Sequence, residues 1–385
     1  MKRIFSIVIL FVFLTKCSSN DYIGKDNDLD SKSLNYIAFT SELIDSIGIS
    51  FYDTKKLIYR GDSTYVIYSE GRELIFYHFE SRKIVKRLQF SVEVENCSSF
   101  SVASTNDVVV HYGNAILRMK DGVEDIIEIP EAPYRLSWTD GYGFEYFPNQ
   151  NKVVLGLNNM WPGDDSLNYY LKGLASLDLN TRTIEMLPFE YSQIYHNAEY
   201  WGTELYLYRK GDTLLISENW GSEVILIDMN NLAMNKFTVR HPQEHLMEEL
   251  PLNLNDHEEF IPKESEQKSK KYALWELRHY FFEKYQKALI DQSGRFIYRF
   301  YEHRIPTIID KRRPSRHEKA KFILRYDIDK HETVVFNIPS NRFYVPSSFW
   351  LRPNSTIDHI KFIYTKEHDP DKAIYLLENI KLYSI

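Results

Sequence analysis

The chain has 385 residues, 15% aromatic and 43% hydrophobic, with 28 Tyr and 23 Phe, which is ample apolar surface for a packed fold and excludes global disorder. A formal net charge of −7 argues against broad electrostatic binding to nucleic acid. Two cysteines, Cys17 and Cys97, are too few for a metal site built on paired thiolates.

The N-terminus reads as an address. Lys2 and Arg3 precede an apolar run over residues 4–14, which is short for a membrane span and right for the core of a secretory signal. Leu14-Thr15-Lys16-Cys17 follows, then the polar Ser18-Ser19-Asn20-Asp21. The expected division is a signal peptide over 1–16, a flexible acidic tether over 17–33, and one folded domain over 34–385. The run Leu14 to Cys17 resembles the lipobox of bacterial lipoproteins, which implies cutting before Cys17 and its lipidation; Cys97, then left without a partner in the chain, reads as a small buried hydrophobe.

Beyond the tether, short β-compatible runs at 36–39 and 44–49 do not complete a sheet of their own. A first β-rich unit follows over 57–90, with strands at 64–69, 73–79 and 84–90. A second covers 99–130, with strands at 100–103, 107–112, 115–119 and 125–129, and Asp121-Gly122 as a tight turn. A third spans 144–189, its strands 152–157 and 174–179 split by a long loop. The fourth, 206–239, is the most regular. The fifth, 287–338, has strands at 295–301, 322–328 and 333–338, with a basic loop over 311–317 between the first two. The sixth, 348–383, has strands at 360–365 and 373–377 and runs short of a fourth strand.

The units share a turn. Leu177-Asp178-Leu179-Asn180, Ile227-Asp228-Met229-Asn230 and Tyr326-Asp327-Ile328-Asp329 are close copies, and Tyr77-His78-Phe79-Glu80 is a looser one. Outer strands end alike in Ile129-Pro130, Leu187-Pro188 and Ile338-Pro339, positions where a missing N–H does least harm. Self-similarity at this period predicts an all-β, six-bladed β-propeller closed by an N-terminal strand that completes the last blade and removes an open edge. One segment departs from the repeat: Leu274, Leu277, Phe281, Tyr285 and Ala288 recur at helical spacing. They predict one helical insertion near 272–284, with an inner strand over 280–290 as the alternative.

No sequence motif carries chemistry. There is no nucleophile elbow, phosphate loop or dinucleotide fingerprint. His241, His245 and His257 lie among acidic residues, but Pro242 and Pro251 interrupt the segment, and a solvated loop is the simpler account than a metal site. The loop holding Trp161, Asp164 and Asp165 could bind a ligand by stacking and by oxygen donors, and Trp220, in a hairpin turn, is a further ligand-binding candidate. No catalytic residue, metal site or cofactor is assigned.

The leader ending at Cys17, the Asp-containing turns and the aliphatic-Pro strand ends together resemble a bacterial lipoprotein family of unknown function with a six-bladed propeller, similar in architecture to TolB-like and NHL-like propellers. The resemblance implies a protein tethered to a membrane of the bacterial envelope, the outer membrane being the expected one, through acyl groups on Cys17. The expected role is a non-catalytic binding or scaffold protein with an envelope protein or glycan as partner and no nucleic acid. The alternative is a hydrolase or lyase acting on glycans or peptides at the channel mouth.

Overall fold

A computed structural model describes residues 36–44, 55–60, 63–95, 97, 99–129, 143–156, 173–191, 205–242, 284–303, 320–338, 349–363 and 374–383. The protein is an all-β β-propeller, and there is no helix among the described residues.

The chain opens with β1 (Tyr36–Ile44) and then builds five consecutive antiparallel meanders. The first holds β2 (Lys55–Arg60), β3 (Ser63–Glu70), β4 (Glu73–His78) and β5 (Lys83–Gln89). The second holds β6 (Ser99–Ser104), β7 (Asp107–Tyr112), β8 (Ala115–Lys120) and β9 (Val123–Glu128). The third holds β10 (Phe144–Phe147), β11 (Lys152–Gly156), β12 (Leu174–Asp178) and β13 (Ile184–Met186). The fourth holds β14 (Leu205–Lys210), β15 (Thr213–Glu218), β16 (Glu223–Asp228) and β17 (Met234–Thr238). The fifth holds β18 (Lys284–Ile290), β19 (Phe296–Glu302), β20 (Lys321–Asp327) and β21 (Glu332–Ile338).

Only these five sheets are contiguous in the chain. A further four-stranded sheet draws on both ends, in the order β1, β24 (Ile374–Tyr383), β23 (Ile357–Ile363) and β22 (Phe349–Leu351). Tyr36 stands opposite Tyr383 and Ile44 opposite Tyr375, so the first strand supplies the one that the last repeat lacks. The helix expected near 272–284 is not borne out where it can be checked: Lys284 already begins β18, and residues 272–283 lie outside the described residues. Both faces of β18 are buried, so its apolar positions follow burial on two sides rather than a helical stripe.

The repeated turn joins the third and fourth strands of a sheet. Asp178 Oδ1 accepts the backbone N–H groups of Asn180 at 2.8 Å and Thr181 at 3.0 Å, Asp228 Oδ1 that of Asn230 at 2.9 Å, and Asp327 Oδ1 those of Asp329 at 3.1 Å and Lys330 at 3.3 Å. A left-handed residue closes each turn, Arg182, Leu232 or His331, with φ of 58°, 58° and 57°. His78 plays the Asp role in the first sheet, accepting from the Ser81 N–H, with Arg82 at φ 53°. A short side-chain acceptor that bonds its own chain two residues on is why these turns repeat as sequence. In the second sheet the corresponding connection is shorter, and Asp121 and Gly122 at φ 50° and 83° form the expected primed turn.

The apolar core is divided among the seams between sheets. Phe76, Leu88 and Phe90 meet Phe100 and Val108; Val109 and Ile127 meet Tyr146 and Leu155; Phe147 and Leu174 meet Leu207 and Ile216. Leu215 and Val224 meet Ile297 and Leu324, and Phe300 and Ile323 meet Leu351 and Ile380. Trp350 of β22 then packs on Leu57, Val66 and Tyr77 of the first sheet. Each sheet therefore buries one face on the preceding sheet and the other on the following one, which explains why β4 reads Leu-Ile-Phe-Tyr with no polar alternation.

Candidate functional site

The first strands of the sheets surround a cavity of about 340 Å³. Its wall takes Lys56 from β2, Ser101 from β6, Glu145 from β10, Tyr208 and Arg209 from β14, Lys287 from β18 and Trp350 from β22. Every sheet contributes, so the cavity lies where the sheets converge. It extends from the middle of these strands to the turns after them, where Gln292, Arg352 and Pro353 line it. The size falls within the roughly 300–1,000 Å³ usual for small-molecule sites.

Charge is concentrated in this wall. Glu145 is its one carboxylate among the described residues, facing Lys56, Arg209, Lys210, Lys287 and Arg352. Lys56 Nζ lies 3.8 Å from Glu145 Oε1, and the other carboxylate oxygen accepts a 2.9 Å hydrogen bond from Ser101 Oγ. Ser101 Oγ in turn accepts from the Tyr146 N–H at 3.1 Å, which locks β6 to β10. Arg209 Nη2 donates to the Val102 carbonyl at 3.1 Å, and Lys210 Nζ to the Asp291 carbonyl at 2.6 Å. Lys287 has no ion pair among the described residues; its ammonium lies 5.4 Å from the centre of the Tyr208 ring.

Burial governs the protonation of these groups. Removal from bulk water holds Lys287 down to about 8, against the opposing attraction of Glu145 and with added repulsion from Lys56. Lys56 is lowered for the same first reason, Glu145 again acting the other way. Tyr208 is pushed up to about 12 by burial, reinforced by Glu145, and stays a neutral phenol.

A break in strand register places Lys287. The pairing of β18 with β19 shifts between Tyr285 and Ala288, so Gln286 and Lys287 form a bulge. The bulge is held on several sides. Gln286 Oε1 accepts from Tyr206 OH at 2.9 Å, its carbonyl accepts from Arg299 Nε at 3.2 Å, and the Ala288 N–H donates to Ser217 Oγ at 2.9 Å. Arg299, fully buried, also donates to the Glu218 carbonyl and lies 4.3 Å over the Tyr285 ring.

The residues singled out by sequence are elsewhere. Trp161, Asp164, Asp165 and Cys17 lie outside the described residues. Trp220, 5% exposed, packs in the core seam with Phe147, Leu205 and Ile225 and does not line the cavity. His241 is buried, stacked 5.0 Å from Tyr301 and beside Phe322, and burial with the nearby His303 pulls it down to about 4. His245, His257 and the basic loop at 311–317 lie outside the described residues. Cys97 is buried against Val94 and Phe100, as a small hydrophobe would be.

No protein-family model and no curated protein matches the chain. Solved structures do. A member of the DUF4221 family from Bacteroides vulgatus superposes with a TM-score of 0.59 at 13% identity, over 91% of this chain and 99% of that one. A candidate exported protein from Bacteroides fragilis superposes with a TM-score of 0.53 at 13% identity, over 90% and 95% of the two chains. At that identity the likeness is one of fold, and function has to come from the site.

Proposed function

We propose that this chain is a lipid-anchored envelope propeller that captures a small ligand in its axial cavity without transforming it. In this reading the five contiguous sheets and the composite one are six blades, and the cavity is the channel they enclose. The observation that carries it is the convergence on one cavity of polar side chains from the first strands of five sheets and of Arg352 from the turn after β22, over sequence separations that only the closed fold brings together. The leader sequence and the likeness to a candidate exported protein support an envelope location, and Cys17 is the proposed acylation site. A contribution from the loop of Trp161, Asp164 and Asp165 to capture of a glycan or envelope protein belongs to the same proposal.

The alternative, a hydrolase or lyase at the channel mouth, finds less support. Hydrolysis of glycosides takes two carboxyl groups about 5–10 Å apart. The cavity wall offers Glu145, and its oxygens are engaged by Lys56 and Ser101.

The test is mass spectrometry of the full chain extracted from native membranes under mild conditions. The expected result is an acylated N-terminal cysteine, lost in Cys17→Ala, together with a non-covalent small molecule released on denaturation. An unacylated mature chain defeats the anchoring; turnover of a glycan or peptide with release of product defeats the non-catalytic role.

A further inference from the structure

We propose that the cavity is a site for a small organic acid, whose carboxylate is held by Lys287 with Arg209 beside it and whose apolar body lies along Tyr208 and Trp350. This rests on the reading of the cavity as a binding site and adds the chemical class of its ligand.

Three observations lead there independently of one another. The first is sign. The chain is acidic overall, yet among the described residues the cavity wall carries five cationic side chains against Glu145. Three of the five are engaged with the protein, Lys56 with Glu145, Lys210 with the Asp291 carbonyl and Arg209, through one guanidinium nitrogen, with the Val102 carbonyl. Lys287 is committed to no anion among the described residues, and it faces a cavity whose low-dielectric walls strengthen attraction for an incoming negative charge.

The second is construction. Lys287 lies in a bulge, and the bulge is held by Tyr206, Ser217 and the buried Arg299. A regular ladder through β18 would remove the extra residue and reverse the facing of the strand beyond it, so the same chain could not present Lys287 as it does. Bulges of this kind concentrate beside functional sites because they re-aim a side chain. Keeping an ammonium in a desolvated position is unfavourable for folding by itself, and the surrounding network keeps it there.

The third is shape. Leu57, Val102, Tyr208 and Trp350 supply apolar wall beside the cations. Ile290 and Leu351 extend the wall with further aliphatic surface, which a small inorganic anion would leave uncovered. A monocarboxylate with an apolar or aromatic tail satisfies both.

Calorimetry on the full chain in detergent tests this with benzoate, phenylacetate and indole-3-acetate, each paired with its neutral amide. The expected result is preference of at least about tenfold for an acid over its amide, as one charge-assisted hydrogen bond gives. Lys287→Met abolishes that preference, Lys287→Arg keeps most of it, and Lys236→Met, at an exposed site in β17, leaves it unchanged. Glu145→Gln tightens binding. The affinity for the acid falls as pH rises through about 8, where Lys287 gives up its proton; Lys56, also lowered by burial, acts in the same direction, and Tyr208 stays neutral. A merely structural lysine would change stability and leave the acid–amide ratio alone.

Equal binding of acids and amides, or an acid preference indifferent to Lys287→Met, overturns the proposal. Preference for phenyl phosphate over every acid overturns the carboxylate assignment. The ligand released from the native protein separates this failure from that of the underlying reading. A neutral molecule released from the cavity leaves capture standing and overturns the acid, whereas no released molecule and no response to any acid overturns both.

Discussion

The fourth and fifth sheets are neighbours with the same strand order, yet a matching interior position is aliphatic in one and a buried arginine in the other. Their hairpins align through the Asp turns: Thr213 faces Asp228 in one, and Phe296 faces Asp327 in the other. That alignment puts Ile216 and Arg299 at equivalent positions. Ile216 stands between Leu207 and Ile225, Arg299 between Ala288 and Leu324, and each is buried. Further along the fifth sheet, Lys284, Glu302 and Lys321 stand opposite one another across three strands, all buried. The fourth sheet lends Tyr208 and Arg209 to the cavity from an unbroken ladder; the fifth breaks its ladder with a bulge to hold an ammonium there. The difference teaches that a repeat can keep its backbone plan while one copy gives up apolar packing to build a site.

The most direct way to break the contrast is to make the fifth sheet resemble the fourth. Arg299→Ile supplies the residue found at the matching position but strips donors from the carbonyls of Gln286 and Glu218. At about 1–3 kcal/mol for each buried acceptor left unpaired, the loss is roughly 2–6 kcal/mol, read as a shift in the chemical unfolding midpoint. Ile216→Val, the equivalent site in the fourth sheet, costs about 0.5–1.5 kcal/mol. Similar losses at the two sites would show that Arg299 is only filling space.

Lys287→Met is expected to act in the opposite direction. Its ammonium is held from an ordinary 10.5 down to about 8, a desolvation cost fully present below about pH 8. Converted at 1.36 kcal/mol per pH unit and discounted for water in the cavity, the variant gains roughly 1–3 kcal/mol at neutral pH. Because the folded state releases this proton first, wild-type stability rises relative to the variant between about pH 8 and 10.5, so the advantage shrinks over that window. Thermal unfolding of both proteins across pH checks the sign. A stabilised protein that no longer distinguishes an acid from its amide is the pattern of a residue kept for binding at the expense of folding.

How much of this was legible in the chain depends on where each feature gets its information. The Asp turns at Asp178, Asp228 and Asp327 could be read because an Asx turn is local chemistry: the acceptor and the N–H groups it bonds lie within three residues. Closure by residues 36–44 was legible because the last repeat ran short of a strand. The first strands were harder. Lys-Lys-Leu-Ile-Tyr-Arg in β2 looks polar and surface-exposed, and the β18 residues mimic a helical stripe. The cavity was not legible, since Lys56, Glu145 and Lys287 are isolated charges in distant strands, and nothing local marks that ring closure turns them to one point. The available signal was Glu145 within Phe-Glu-Tyr-Phe, a charge flanked by aromatics in a strand with both faces buried. Trp220 allowed two readings, a ligand platform or packing in the core, because a large aromatic in a turn serves either; its side chain lies in the seam with the third sheet.

The turns allow the finest comparison of the two sheets. Asp228→Ala removes an acceptor from the Asn230 N–H, a loss comparable to that of a helix cap, about 0.5–2 kcal/mol. Asp327→Ala should cost more, because that carboxylate also pairs with Arg295, Nη2 to Oδ2 at 2.7 Å. The same Arg295, with backbone N–H groups of the turn, holds the Asp327 carboxyl below its usual range. A carboxyl lowered in the folded state contributes stability that is present above its unfolded value near 3.8 and lost as pH falls through the folded value. The difference between the two alanine variants should therefore be full at neutral pH and shrink on acidification below that range, and it should also weaken with added salt, because Arg295 is exposed to solvent. If the difference survives both, the extra stability of the fifth-sheet turn comes from its backbone geometry, and the fourth and fifth sheets differ in charge at the Ile216 and Arg299 positions but not at their outer turns.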